Sequence, residues 1–343
     1  MKKILIVLLI IILIICSILF INKGDKNKST TKKEVNKSER RMEVEENNLV
    51  SFNGWLKIEN NTLVNEKGNK IQLRGMSTHG LQWYGKFANE EMMKLLKEEW
   101  NSNLFRIAMY TSENGYIQNK SIEEDVIRLV DTAIKLDMYV IIDWHILSDN
   151  DPMTYLNESK EFFNKMSLKY KDYPNVIYEI CNEPNGNVTW NDNVRPYAEE
   201  VVKVIRKNSK KSIIIVGTPT WSQDVDKAAE NPIDDENVMY TLHFYSGTHK
   251  EDLRNKVKDA LNKIPVFVTE WGVSDASGNG GVYLDEARKW IEFMKENNLS
   301  WANWSLSDKN ESSALFIEGA PTNSLNDEYL SESGKFIKSV INE

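Results

Sequence analysis

The sequence predicts an α/β fold: a closed (β/α)8 TIM barrel over residues 50–343, led in by a short β-hairpin and preceded by an apolar N-terminal helix and a flexible linker. Three observations carry this. Short apolar runs of strand length alternate with helix-period segments eight times over about 290 residues, which calls for a parallel sheet with helical crossovers and, at eight units, for closure. No Gly-x-Gly-x-x-Gly follows the first strand and no Walker motif occurs, against an open nucleotide-binding sheet. Polar and aromatic residues collect where the strands stop, the edge at which barrels of this kind carry chemistry.

Taken in order, Lys2 and Lys3 precede eighteen uncharged residues, Ile4 to Ile21. That reaches the length of a membrane span, about 17–25 residues. It exceeds the roughly 7–15 residues of a signal-peptide core and lacks a small-residue cleavage site. A retained signal anchor over 1–21 is expected, with a cleaved signal peptide as the alternative; Ile15 is too bulky for lipidation of Cys16 to be favoured. Residues 22–49 have too few apolar side chains to offset the entropy of ordering and are expected to form a disordered polar linker.

From residue 50, "GWLKIENNTLVNEKGNKIQLRGMS" alternates around Asn-Asn and Lys-Gly turns, a hairpin running into a first strand at Ile71–Met76. "NEEMMKLLKEEWN" sets Met92, Met93, Leu95, Leu96 and Trp100 at helical spacing behind an Asn89 cap. "NLFRIAMY" is a strand, and "SIEEDVIRLVDTAIKLD" a helix with a capping box of Ser121 and Glu124. "MYVIIDWH" is a strand buried on both faces. "ESKEFFNKMSLKYK" is a helix and "NVIYEICNE" a strand. "RPYAEEVVKVIRKN" is a helix with Pro196 in its first turn. "SIIIVGTP" is a strand, followed by a short helix near Asp224–Ala229. "NVMYTLHFY", "PVFVTEWG" and "LSWANWSLS" are the last strands, followed in turn by helices at "KEDLRNKVKDALNK", "YLDEARKWIEFMKENN" and "SGKFIKSVINE".

A net charge of −8 makes nucleic acid an improbable partner. Ten tryptophans and thirteen tyrosines supply flat surfaces for stacking as well as core. The two cysteines, Cys16 and Cys181, make no disulfide framework; Cys181 reads as a small buried hydrophobe.

The strand ends hold Ser77-Thr78-His79 with Trp83 beyond, then Arg106 and Tyr110, then Asp143-Trp144-His145 and Asn182-Glu183. Further along come Trp221, His243 and Tyr245, Glu270-Trp271, and Trp304 with Lys309 and Glu311. Three of the four histidines lie there. Three chemistries use such a set. A metal hydrolase needs clustered ligands; His-x-His and His-Glu-x-x-His are absent, although Asp143 and His145 share a strand face. Acyl transfer lacks its Gly-x-Ser-x-Gly elbow. Two facing acids, Glu183 and Glu270, are the machinery of glycoside hydrolysis: environment keeps one protonated and the other ionised, and Arg106 would favour an ionised Glu270.

The ordered segments "LRGMSTHGLQWYG", "FRIAMY", "VIIDWHIL", "VIYEICNEPNG", "VGTPTWSQD", "YTLHFYSGTH", "PVFVTEWG" and "WANWSLSDK" resemble glycoside hydrolase family 5, the barrel cellulases, and within it the bacterial endoglucanases. The resemblance spans residues 50–343. It implies a retaining endo-β-1,4-glucanase with Glu183 as acid/base and Glu270 as nucleophile, without metal or other cofactor. It implies that Arg106 and Tyr245 hold Glu270, and that His145, Asn182 and His243 orient the pair and the sugar. His79, Trp83, Tyr110, Trp221, Trp304, Lys309 and Glu311 would line the β-glucan subsites, with the Ser274–Gly281 loop on the rim.

A β-mannanase, xyloglucanase or mixed-linkage glucanase is the neighbouring alternative, and an inactive polysaccharide-binding domain the alternative of another class. The chain ends after its last helix, so soluble or amorphous glucan is expected as substrate rather than crystalline cellulose. Eight Lys/Arg against three Asp/Glu over residues 22–41 would on charge alone keep the C-terminal side in the cytoplasm. A polymeric substrate instead places a membrane-anchored monomer at the extracellular face.

Overall fold

Eight parallel strands close on themselves in the computed structural model, which describes residues 49–343. The apolar run 1–21 and the linker up to residue 48 lie outside the described residues. An antiparallel hairpin, β1 (Lys57–Glu59) and β2 (Thr62–Val64), precedes the barrel. The barrel strands are β3 (Arg74–Thr78), β4 (Leu104–Tyr110), β5 (Tyr139–His145), β6 (Val176–Glu179), β7 (Ile214–Val216), β8 (Val238–Tyr245), β9 (Val266–Gly272) and β10 (Trp301–Leu306). Each pairs with the next and β10 pairs with β3. The principal crossover helices are Glu90–Trp100, Ile122–Lys135, Leu156–Lys169, Arg195–Asn208, Glu251–Ala260 and Leu284–Glu296, with Glu332–Val340 last.

Strand residues alternate between two destinations, as the pleat requires. Ile107, Ile142, Trp144 and Phe244 face the helices in one large core. Leu104, Tyr139, Ile141, Ile177, Ile215, Met239 and Phe267 fill the lower barrel, where Val50, Leu56, Leu63, Ile71 and Leu73 plug the end. That plug explains a shift from the expected first strand. Ile71 and Leu73 serve the lower cap, and the strand begins at Arg74.

One helix start also differs from expectation. Asn89 does cap its helix, accepting from Met92 N at 2.9 Å. Ser121 makes no such bond: its backbone is already helical, and both its amide and its hydroxyl donate to Asn119 Oδ1.

Two local features set the upper rim. The β6 ladder ends at Glu179, yet Ile180 N still donates to Ile215 O and Gly217 N to Cys181 O, so the chain climbs to Asn182–Glu183 in register with β7. Gly217 is required there: a Cβ would lie 2.3 Å from Cys181 O and 2.8 Å from Asn182 O. In β9 an extra residue is inserted, since Thr241 and His243 of β8 pair with Phe267 and Glu270. The β10 side shows the same count, with Trp301 and Asn303 paired to Val268 and Trp271. A bulge of this kind re-aims side chains; here Thr269 and Glu270, though consecutive, both make bonds inside the barrel.

Candidate active site

Above the apolar plug the inward positions turn polar. Arg106 on β4 is fully buried and uses its whole fork. Its Nε donates to Glu179 Oε2 at 2.7 Å and its Nη1 to Glu270 Oε2 at 3.2 Å and Ser77 Oγ at 3.1 Å. Its Nη2 donates to Asn182 Oδ1 at 2.7 Å and lies 3.0 Å from Asp143 Oδ2. A buried guanidinium needs such partners. Burial alone would lower its pKa, but Asp143, Glu179 and Glu270 outweigh that and hold it protonated.

Glu183 and Glu270 face one another over this layer. One donor atom each of Glu183, His243 and Glu270 lies within 4.8 Å of the other two. All three are already engaged. Glu270 accepts from Arg106 and from the Tyr245 hydroxyl at 2.7 Å. Glu183 Oε1 sits 2.8 Å from His243 Nδ1, and His243 Nε2 lies 2.9 Å from Thr269 Oγ1. The close donors are thus tied up in hydrogen bonds and held beside a fixed guanidinium, a setting that suits acid–base work better than a cation.

Burial pushes both carboxyls up, and for Glu183 the neighbouring Glu270 charge adds to it. The two differ in what opposes that push. Glu270 receives bonds from Arg106 and Tyr245 that favour its ionised form, whereas Glu183 feels Arg106 only at a distance and is bonded to an imidazole whose own protonation is suppressed by burial and then by Arg106. Of the pair, Glu183 holds the proton. His145 is brought down to about 3, by burial first and Arg106 second. Its Nδ1–H therefore donates to Asp143 Oδ2 at 2.6 Å, leaving Nε2 to accept from Asn182 Nδ2 at 3.3 Å. Burial pushes the Asp143 and Glu179 carboxyls up, and their ion pairs with Arg106 at 3.0 and 2.7 Å pull them back toward the ionised form.

The pair opens into a cleft of about 1100 Å³. Twelve of the fourteen residues singled out in the sequence line it: His79, Trp83, Tyr110, His145, Glu183, Trp221, His243, Tyr245, Glu270, Trp304, Lys309 and Glu311. Arg106 and Asn182 sit behind the wall; the Asn182 amide also donates to Ile146 O at 3.1 Å. Trp83 and Trp221, 42% and 45% exposed, offer ring surface to a ligand, Trp83 in T-shaped contact with His79 and Tyr110. Lys309 Nζ pairs with Glu311 Oε2 at 2.6 Å on the cleft wall. The loop after β9 contributes Ala276, Ser277 and Gly278.

Sequence reasoning missed Gln82, Glu113, Gln223 and His249 on the wall, and Glu179 and Thr269 beneath it. A signal for Glu179 was present. It is the one charged residue within the apolar run Val176–Cys181.

Residues 64–310 match the model of the cellulase family, glycosyl hydrolase family 5. The chain is 58% identical over 279 residues to Endoglucanase A of Evansella cellulosilytica, covering 80% of this chain and 57% of that one. It is 53% identical over 295 residues to an endoglucanase of Clostridium saccharobutylicum, covering 85% and 66%. Among solved structures, Cellulase Cel5C_n aligns with a TM-score of 0.82 at 48% identity, over 85% of this chain and 93% of that one. The catalytic domain of Thermobifida fusca endoglucanase Cel5A in complex with cellotetraose aligns at 0.83 and 36% identity, over 86% and 99%. The chain thus spans between 57% and 66% of the length of these two curated relatives. A barrel with this pair of acids at its mouth, matched over most of its length by that family's model, belongs to glycosyl hydrolase family 5, the cellulases.

Proposed function

We propose that the protein is an endo-β-1,4-glucanase that cleaves internal bonds of cellulose-type glucans with retention of anomeric configuration. The observation that carries this is the closeness of the two acids: carboxylate oxygens of Glu183 and Glu270 lie within 4.8 Å of each other. Retaining pairs stand about 5–5.5 Å apart and inverting pairs roughly 6.5–9.5 Å, to admit a water. In the first step Glu270 attacks the anomeric carbon while Glu183 gives its proton to the leaving oxygen. In the second, Glu183 takes a proton from water as that water displaces Glu270. Arg106 and Tyr245 hold Glu270 ionised and aimed. The aromatic walls, Trp83 and Trp221 above all, carry the glucan chain through stacking. The open cleft and the endoglucanase names of the relatives support an internal rather than terminal cut.

Glu183→Gln and Glu270→Gln on carboxymethylcellulose test the assignment by release of reducing ends. Loss of Glu183 is expected to cost roughly 10²–10⁴-fold and loss of Glu270 to leave only background; near-normal activity in either variant would end it. The same assay on mannan, xyloglucan and mixed-linkage glucan separates the neighbouring specificities. We also propose that residues 1–21 tether a single copy of the enzyme to the membrane at its extracellular face. The mass of the mature N-terminus distinguishes that from a cleaved leader.

A further inference from the structure

Beneath the two acids lies a chain of hydrogen bonds that the reaction as described does not use. It runs from Glu183 Oε1 to His243 Nδ1 at 2.8 Å and from His243 Nε2 to Thr269 Oγ1 at 2.9 Å. From there Thr269 Oγ1 donates to Glu179 Oε1 at 2.6 Å. The other oxygen of Glu179 accepts from Arg106 Nε at 2.7 Å, and Arg106 holds Glu270. Glu179 is fully buried at the centre of the barrel, too deep to touch a sugar. It nevertheless joins the supports of both acids.

We infer that Glu179 is a positioning residue: as an ionised acceptor it fixes the direction of this chain, and through His243 it keeps the proton on Glu183. The inference rests on the proposed role of Glu183 as the acid/base. An anionic Glu179 can only accept, so Thr269 must give it the hydroxyl hydrogen. Thr241 Oγ1, 3.4 Å from Thr269, is too distant to compete. Having donated, Thr269 accepts from His243, which places the imidazole hydrogen on Nε2. A neutral His243 then turns a lone pair, at Nδ1, toward Glu183. Only a protonated Glu183 satisfies that contact. Once Glu183 has given its proton to the leaving oxygen, the same lone pair faces its anion and favours recovery of a proton from the incoming water.

The charged and titratable groups around this chain come from every strand that faces it. They are Arg106 and Tyr110 of β4, Asp143 and His145 of β5, His243 and Tyr245 of β8 and Glu270 of β9; β7, Ile214–Val216, brings none. Glu179 also acts on Glu183 directly as a like charge. Both effects disfavour loss of the proton.

Glu179→Gln reverses the chain. The amide oxygen must stay with Arg106 Nε, so its NH₂ donates to Thr269. Thr269 then donates to His243 Nε2, and Nδ1–H points at Glu183 and stabilises its anion. The experiment is the pH dependence of kcat/KM for the full chain on cello-oligosaccharides and on dinitrophenyl cellobioside, whose leaving group needs no proton. Glu179→Gln is expected to move the alkaline limb to lower pH by about one unit or more. It is expected to lower kcat/KM on oligosaccharides at least about tenfold, with little change on the dinitrophenyl substrate. Thr269→Val is expected to move the limb the same way, and Thr269→Ser to hold it in place; this pair carries the test if Glu179→Gln does not fold. An alkaline limb unmoved or raised in the variants, or equal losses on both substrates, overturns the inference. A Glu183→Gln control keeps the two claims apart. If that variant retains oligosaccharide hydrolysis, the acid assignment itself fails. If it loses that reaction while the limb of Glu179→Gln stays fixed, only the role of Glu179 fails.

Discussion

At the scale of single residues, one guanidinium organises the site. Arg106 reaches Glu179, Asn182, Ser77 and Glu270 at once, because its planar fork offers five donors in fixed directions. An ammonium cannot span them. Arg106→Lys is therefore expected to raise the pKa of Glu270, so the acid limb of kcat/KM moves to higher pH. The broken fork is expected to destabilise the fold by on the order of 3 kcal/mol, read as a lowered denaturant midpoint. These roles differ in how far they could be read from sequence. Glu183, Glu270 and the cleft aromatics stand at or just beyond strand ends, where position alone implies function; Arg106 lies inside β4. Glu179 and Thr269 lie one layer down, where a polar side chain is visible in the sequence but its partner on another strand is not. The extra residue in β9 hides Thr269 further: strict alternation would send Thr269 and Glu270 to opposite faces.

At the scale of elements, the rim after β6 depends on its neighbour. Gly217 at the end of β7 lets the backbone of Cys181 and Asn182 pass close by. Thr220, Trp221 and Ser222 follow in left-handed conformations, which cost residues with a Cβ roughly 1–2 kcal/mol each. The turn is held by what it grips: Trp221 N donates to Pro184 O at 3.0 Å and Ser222 Oγ to Asn182 O at 2.6 Å. Gly217→Ala forces this segment outward by displacing backbone rather than side chain. Since about 1 Å of misplacement can cost roughly 10²-fold, kcat is expected to fall on that order while far-ultraviolet circular dichroism stays unchanged. The order of strands and helices was legible because each apolar run has strand length and each crossover has helical period. The true start of the first strand was not, because Ile71 and Leu73 are apolar for the lower plug and not for the ladder. The serine cap failed for a similar reason: Asn119, two residues upstream, captures Ser121 first.

At the scale of the whole molecule, buried imidazoles shape stability against pH. His79 and His145 are brought down to about 3, burial being the largest cause, against about 6.5 unfolded. Their stabilisation is complete above about 6.5 and is lost as pH falls toward 3, since the unfolded chain takes up protons that the folded one refuses. The thermal midpoint is therefore expected to fall as pH drops from about 6.5 toward about 4. A calorimetric series in matched ionic strength checks it, and a midpoint that rises over that interval would contradict it.

The most direct measurement of the central claim is the anomeric configuration of the first-formed product, followed by proton nuclear magnetic resonance during rapid hydrolysis of cello-oligosaccharides. Two oxygens as close as those of Glu183 and Glu270 leave no place for a water between Glu270 and the anomeric carbon, so the β-anomer is predicted to appear first, with the α-anomer growing only at the rate of mutarotation. Initial release of the α-anomer would contradict the account.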